Sequence, residues 1–253
     1  MTELSTLTRD YQNAQDSVAN RVLSWLLKWW VGEAQGNLGN PNQLFESYRR
    51  EVERGRRESI QLAQNFHNTV RNSAGLGSLP PSQWGGVRAS DGVNDAFYSA
   101  VAPARKRLDD PDFVAELDRL IYGPLRENTD RVTLAGGRDA LANARESDRE
   151  VIGYYRKAEA DPCGFCAMLA SRGLVYTESR NSDRRSRSYL DEQNPEKYHE
   201  NCRCQTLPLF EGLSMPAEDR ERADRWLAQW KETDGSGAEQ LSNFRKQFRS
   251  EES

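Results

Sequence analysis

All four cysteines of the chain, and one of its two histidines, fall in two short strings: DPCGFCAMLASRG at 161–173 and YHENCRCQTLPLF at 198–210. The pattern is Cys163-x-x-Cys166, a gap of thirty-two residues, then His199-x-x-Cys202-x-Cys204. Zinc takes four ligands in a tetrahedron, with thiolate sulfur and imidazole nitrogen as usual donors. A C-x-x-C turn lets two thiolates converge on one ion. A helix starting at Gly164–Ala167 would set Cys166 near its N-terminus, which favours the thiolate. In an extended stretch Cys202 and Cys204, two apart, project to one face. Five candidates thus exist for four positions. The first choice is Cys163, Cys166, His199 and Cys202 around a structural zinc, with Cys204 in place of His199 as the alternative.

Other chemistry fits these residues less well. Two disulfides could form in any of three pairings, but structural disulfides are uncommon in a reducing cytoplasm. A thioredoxin-like pair at Cys163 and Cys166 lacks the βαβ frame such a motif needs. A zinc enzyme needs an open coordination position and commonly a carboxylate base; Glu200 is adjacent to His199, but there is no H-E-x-x-H. A Cys–His dyad would use the same His199 that the metal claims. His67, in NFHNTV, reads as a surface or packing residue of a helix.

The elements that must carry this cluster are mostly helical. Leu4, Leu7, Tyr11, Ala14, Val18, Val22, Trp25 and Trp29 recur at steps of three and four, the period of one helix face. GEAQGNLGNPN at 32–42 breaks the pattern. A second helix starts near Pro41, with Phe45, Tyr48, Val52, Leu62, Phe66 and Val70 as its buried face and Gly55 and Ser59 as small positions. The two are expected to pair as an antiparallel hairpin. A Gly/Pro-rich loop at 73–92 follows, then a helix capped by Asp91. Another begins at Pro111, with Pro124 expected to end or kink it. Residues 138–160 read as helix again. From Asp161 the chain turns short and turn-rich, with brief strands around Leu174–Tyr176 and in CRCQTLPLF. After Gly212 helix returns through Ala217, Ala223, Trp226, Leu227 and Trp230, and DGSG at 234–237 links to a charged short helix or tail. The expected fold is mainly α with a small zinc-stapled α+β module near the C-terminus. Its parts are a helical domain at 1–160, a cysteine-rich zinc module at 161–212 and a helical tail at 213–253.

Composition narrows the function classes. Hydrophobic residues are 36% and charged residues 29%, a balance that suits long solvated helices or a subunit of an assembly. A net charge of −4 does not indicate a dedicated nucleic-acid or membrane binder. The first twenty residues carry no apolar h-region, and the longest apolar run, VLSWLLKWWV, falls far short of a bilayer span of about 20 residues. Five arginines and four glutamates within 46–58 read as a solvated helix face laced with i,i+4 pairs. RNSDRRSRSY at 180–189 reads as a polar loop whose Arg184, Arg185 and Arg187 could contact phosphate. Trp25, Trp29 and Trp30 exceed what one helix face needs, so one of them could dock on a partner.

The cysteine block also resembles a known family. CGFCAMLASRGLVY followed by YHENCRCQTLPLF is similar to the cysteine-rich block of phage head-morphogenesis proteins, the minor capsid proteins like protein F of phage Mu, in the variant common in phages of actinobacteria. The matching elements are Cys163 and Cys166, Ser171-Arg172-Gly173, Tyr176, and His199, Cys202, Arg203 and Cys204. They cover about fifty residues; the helical first 160 agree in general character only. The resemblance implies a virion protein made in the host cytoplasm and housed in the capsid interior. Its partners would be the portal or major capsid protein, with packaged DNA nearby and no membrane. Some relatives are labelled capsid maturation proteases, but no serine- or cysteine-protease signature is visible in this chain.

Overall fold

A computed structural model describes residues 3–176 and 202–250. Three long helices organise it. α1 spans Glu3–Trp29, α2 spans Pro41–Ser73 and α5 spans Gly123–Ser147. Tyr11 stacks on Phe66, Gln15 bonds Ser59, and Trp29 bonds Ser47, so partners run in opposite order along α1 and α2. This is the antiparallel hairpin that the sequence predicts. α5 lies parallel to α2, with Thr129 on Tyr48 and Gly137 on Ser59.

The three axes approach closely because small residues meet at the crossing. A Cβ on Gly55 would stand 2.5 Å from Val22 Cγ2, and one on Gly137 would stand 2.9 Å from the Ser59 carbonyl oxygen. Gly55 and Ser59 therefore lie on the contact surface of α2. Two short helices, α3 at Val93–Val101 and α4 at Pro111–Ala115, cover one end of the bundle. Their Phe97 and Phe113 join Trp29, Trp30, Tyr48 and Ile121 in one apolar cluster.

Several local expectations change. Pro124 opens α5 rather than ending a helix, since an N-terminal position has no amide hydrogen bond to lose. Asp91 accepts from the Arg88 amide, while Gly92, at φ +72°, occupies the cap of α3. Residues 151–157 are a strand, β1, not helix. VIGYYRK is short, apolar and rich in β-branched and aromatic residues, and for such a run helix and strand patterns overlap.

β1 is the middle strand of a three-stranded antiparallel sheet, between β2 at Val175–Tyr176 and β3 at Gln205–Phe210. Tyr155 lies opposite Leu207 and Arg156 opposite Thr206. β1 lies before the sequence boundary at 160, and both its partners lie after it. One face of the sheet closes on the helices: Val151, Tyr155, Leu207 and Leu209 pack with Leu4, Tyr11, Ala63 and Phe66. α6 at Gly164–Ala170 sits between β1 and β2 in the chain. α7 at Ala217–Glu232 and α8 at Gly237–Ser250 complete the fold. α8 buries Phe244 and Phe248 against Trp226 and the α6 residues, so it is part of the core around the cysteines.

Candidate metal centre

Two chain segments converge where the cysteines meet. Cys163 occupies the N-cap of α6, and its Sγ accepts the Cys166 amide at 3.5 Å. Cys166 follows in the first turn, as the C-x-x-C spacing predicts. Cys202 and Cys204 lie just before β3, and both turn inward. The Sγ atoms of Cys166, Cys202 and Cys204 all lie within 4.8 Å of one another. Those of Cys166 and Cys202 are 3.4 Å apart and not bonded to each other. Cys163 also hydrogen-bonds to Cys166 through its side chain. Cys166, Cys202 and Cys204 are at most 1% exposed, whereas Cys163 is exposed. Cys204, the alternative ligand of the sequence reading, thus stands inside the cluster. His199 lies outside the described residues, as do Arg184, Arg185 and Arg187.

This donor set fits a tetrahedral thiophilic ion. Zn–S bonds of about 2.3 Å put sulfurs about 3.8 Å apart around a tetrahedron, close to the spacing seen. Without a cation among them the sulfurs resist ionisation. Hydrogen bonds to Cys163, Cys202 and Cys204, together with burial, push the Cys166 thiol far above the usual range. For Cys204 the bond with Cys166 favours the thiolate, but the bond with Cys202 and burial outweigh it, raising the thiol to about 12. Sulfurs this close cannot all ionise unless a cation stands among them. Cys166, Cys202 and Cys204 could hold such an ion, which would supply a cross-link between α6 and the segment entering β3.

Around the cysteines lies a shell of charge. Arg203, between the two inward cysteines, points the opposite way. Its guanidinium reaches Asp130 of α5 at 3.1 Å and Asp16 of α1 at 3.4 Å. Arg138 of α5 donates to the Cys202 carbonyl oxygen. Glu159, after β1, accepts the Arg203 amide at 3.2 Å and lies 4.0 Å from Cys204 Sγ. Burial raises Glu159 to about 7, and charge at Cys202 and Asp16 acts in the same direction. Arg222 of α7 donates to the backbone carbonyls of Ala158, Glu159 and Ala160. Beside them Lys157 pairs with Asp219 at 3.0 Å, with both side chains buried. Through these contacts the cysteine loop is clamped to α1, α5 and α7.

The sequence reading missed this clamp. Arg203 was visible only as a member of the C-R-C string, and Arg138 had no local signal at all. It left His67 as a surface or packing residue of a helix, and the structure decides for packing. His67 is fully buried, edge-on to Trp84 and Phe210, and bonds Asp148 at 3.0 Å. Arg71 bonds the same carboxylate at 2.9 Å. Burial alone would raise Asp148, but the bonds from His67, Arg71 and the Glu150 amide hold it below the usual range.

A model of the VG15 protein family matches residues 4–233, from the start of α1 through α7. The chain belongs to the VG15 family. Membership marks it as a phage-encoded protein. The VG15 match takes in the helical bundle, the sheet and all four cysteines, while α8 lies beyond it. No curated protein and no solved structure matches the chain. Among the described residues, no helix is long and apolar enough to cross a membrane.

Proposed function

We propose that this VG15-family protein is a structural minor component of a phage head, docked near the portal inside the capsid, and that its cysteine cluster holds a structural zinc. The observation that carries the reading is the burial of Cys166, Cys202 and Cys204 at one point where α6 and the β3 approach meet. A closed, thiol-lined site suits cross-linking; a catalytic zinc keeps a position open to substrate. The similarity of the cysteine block to head-morphogenesis proteins supplies the capsid setting, and membership in a phage family agrees with it. The portal or major capsid protein is the proposed partner, with the long helices as the docking surface. Packaged DNA is a further proposed contact, through Arg184, Arg185 and Arg187.

Two measurements test this. Elemental analysis of the purified protein should give about one zinc per chain. Mass spectrometry of purified mature particles should find the chain at full length and in few copies relative to the major capsid protein. Particles that lack it refute the capsid role. A chain without metal refutes the zinc reading. If capsid precursors stay uncut when His199 is replaced by alanine in a protein that folds normally, the maturation-protease reading displaces the structural one.

A further inference from the structure

A buried guanidinium lies directly against the thiol cluster. β1 alternates its side chains: Tyr155 enters the helical core, and Arg156, next in the chain, faces the side where α6 packs. There the Arg156 Nη2 lies 3.8 Å from Cys202 Sγ and 4.0 Å from Cys166 Sγ. Arg156 is only 6% exposed, and an arginine cannot shed its charge when it is buried. A neutral thiol is a weak acceptor for such a group. A metal-bound thiolate is a strong one, because the bond is then charge-assisted.

We propose that Arg156 is a positioning residue of the thiolate centre, directing its guanidinium at Cys166 and Cys202 and offsetting the negative charge that these sulfurs carry when they hold a divalent cation. This rests on the metal reading above. Two thiolates already balance one divalent ion; every further thiolate leaves the centre negative inside a low-dielectric core. A fixed cation at the rim lowers that cost, and one Nη2 nitrogen in reach of both sulfurs also constrains where they sit. Cys166 belongs to α6 and Cys202 to the β3 approach, so one side chain spans both halves of the site.

The test uses the full-length zinc-loaded protein and three variants: Arg156→Gln, Arg156→Lys and, as a control away from the sulfurs, Arg225→Gln on the exposed side of α7. Zinc affinity is read by competition with a chelator, and thermal melting at saturating zinc reports the fold. Arg156→Gln should bind zinc about 10- to 100-fold more weakly, the usual effect of losing a group that supports a metal ligand. Arg156→Lys should recover most of that loss because it restores the charge, and Arg225→Gln should match the wild type. Wild-type affinity in Arg156→Gln, or equal weakening by Gln and Lys, overturns the proposal while leaving the zinc site standing. A wild-type protein that binds no zinc overturns the metal reading and this one with it. If Arg156→Gln does not fold, Arg156→Lys decides the matter with cobalt in place of zinc. The shorter lysine holds its ammonium farther from both sulfurs than Nη2 lies, so the sulfur-to-cobalt charge-transfer band should shift; an unshifted band overturns the proposal.

Discussion

Replacing Arg203 with methionine should unfasten the cysteine module from the helical bundle. The Asp130 side chain is 2% exposed and that of Arg203 17%, with 3.1 Å between their charged atoms. At an effective dielectric constant of about 20, unit charges at that separation attract by about 5 kcal/mol. Their desolvation offsets much of this, so the pair's net worth is smaller than the attraction. Removing one partner alone is different, because the other stays buried and uncompensated; such losses run about 3–5 kcal/mol. Asp130 is already raised by burial, with Arg203 the largest counterweight. Arg203→Met should therefore cost about 3 kcal/mol, a fall in melting temperature of roughly 6–12 °C for a chain of this size. Asp130→Asn in the same background should recover much of the loss. The assay is a double-mutant cycle by urea and thermal unfolding, with zinc saturating throughout. If the two single losses add up in the double variant, the residues are not coupled and the clamp does not exist. The deficit of Arg203→Met should also shrink as pH falls from 7 towards 5. Without its arginine, Asp130 has a still higher folded pKa; the destabilisation is full above that pKa and is relieved as the carboxyl protonates below it.

Three more outcomes follow from the structure. With cobalt in place of zinc, Cys204→Ser should lose part of the sulfur-to-metal absorption while His199→Ala leaves it intact; the reverse result gives the fourth position to His199. Asp148→Asn should remove stability that the wild type has at neutral pH: the folded pKa of Asp148 is lowered, so its contribution is present above the ordinary Asp range and is lost as pH falls through the lowered value. Denaturant melts from pH 7 to pH 3 should show the two proteins converging at the acid end, and parallel curves would contradict this. Gly137→Ala should destabilise by about 1–3 kcal/mol through overpacking, since its Cβ would meet Gln15 and Ser59 at under 3 Å; an unchanged urea midpoint would mean that the helices are not in close contact there.

The amphipathic period of α1 and α2, the break at 32–42 and the α6 start at Gly164 were all legible, because each is set by residues within a few positions of one another. The acidic and basic run at 46–58 was legible only in part. Arg49, Arg54 and Arg57 do pair along the helix with Glu46, Glu51 and Glu53. Arg56, in the same run, is instead 1% exposed and donates to the Arg88 and Val132 carbonyl oxygens and to Asp139. Nothing in the local sequence separates it from its neighbours. The tryptophans divide in a similar way: Trp29 and Trp30 are buried and bonded to Ser47 and Asp118, while Trp25 stacks half-buried on Trp29.

Cysteine is rare in this chain and confined to two strings, and that alone marked the sulfur atoms that could hold a metal. It could not rank Cys204 against His199, because ligand choice depends on which side chains a turn aims at a common point. β1 shows the same limit. VIGYYRK becomes a strand because β3, more than forty residues away, offers it a ladder, and a pairing partner is not a local property. Local spacing therefore fixed which atoms could bind a metal. Long-range packing brought three of them together, laid Arg156 against two of their sulfurs and paired Arg203 with Asp16 and Asp130, where a buried charge is stable beside its opposite.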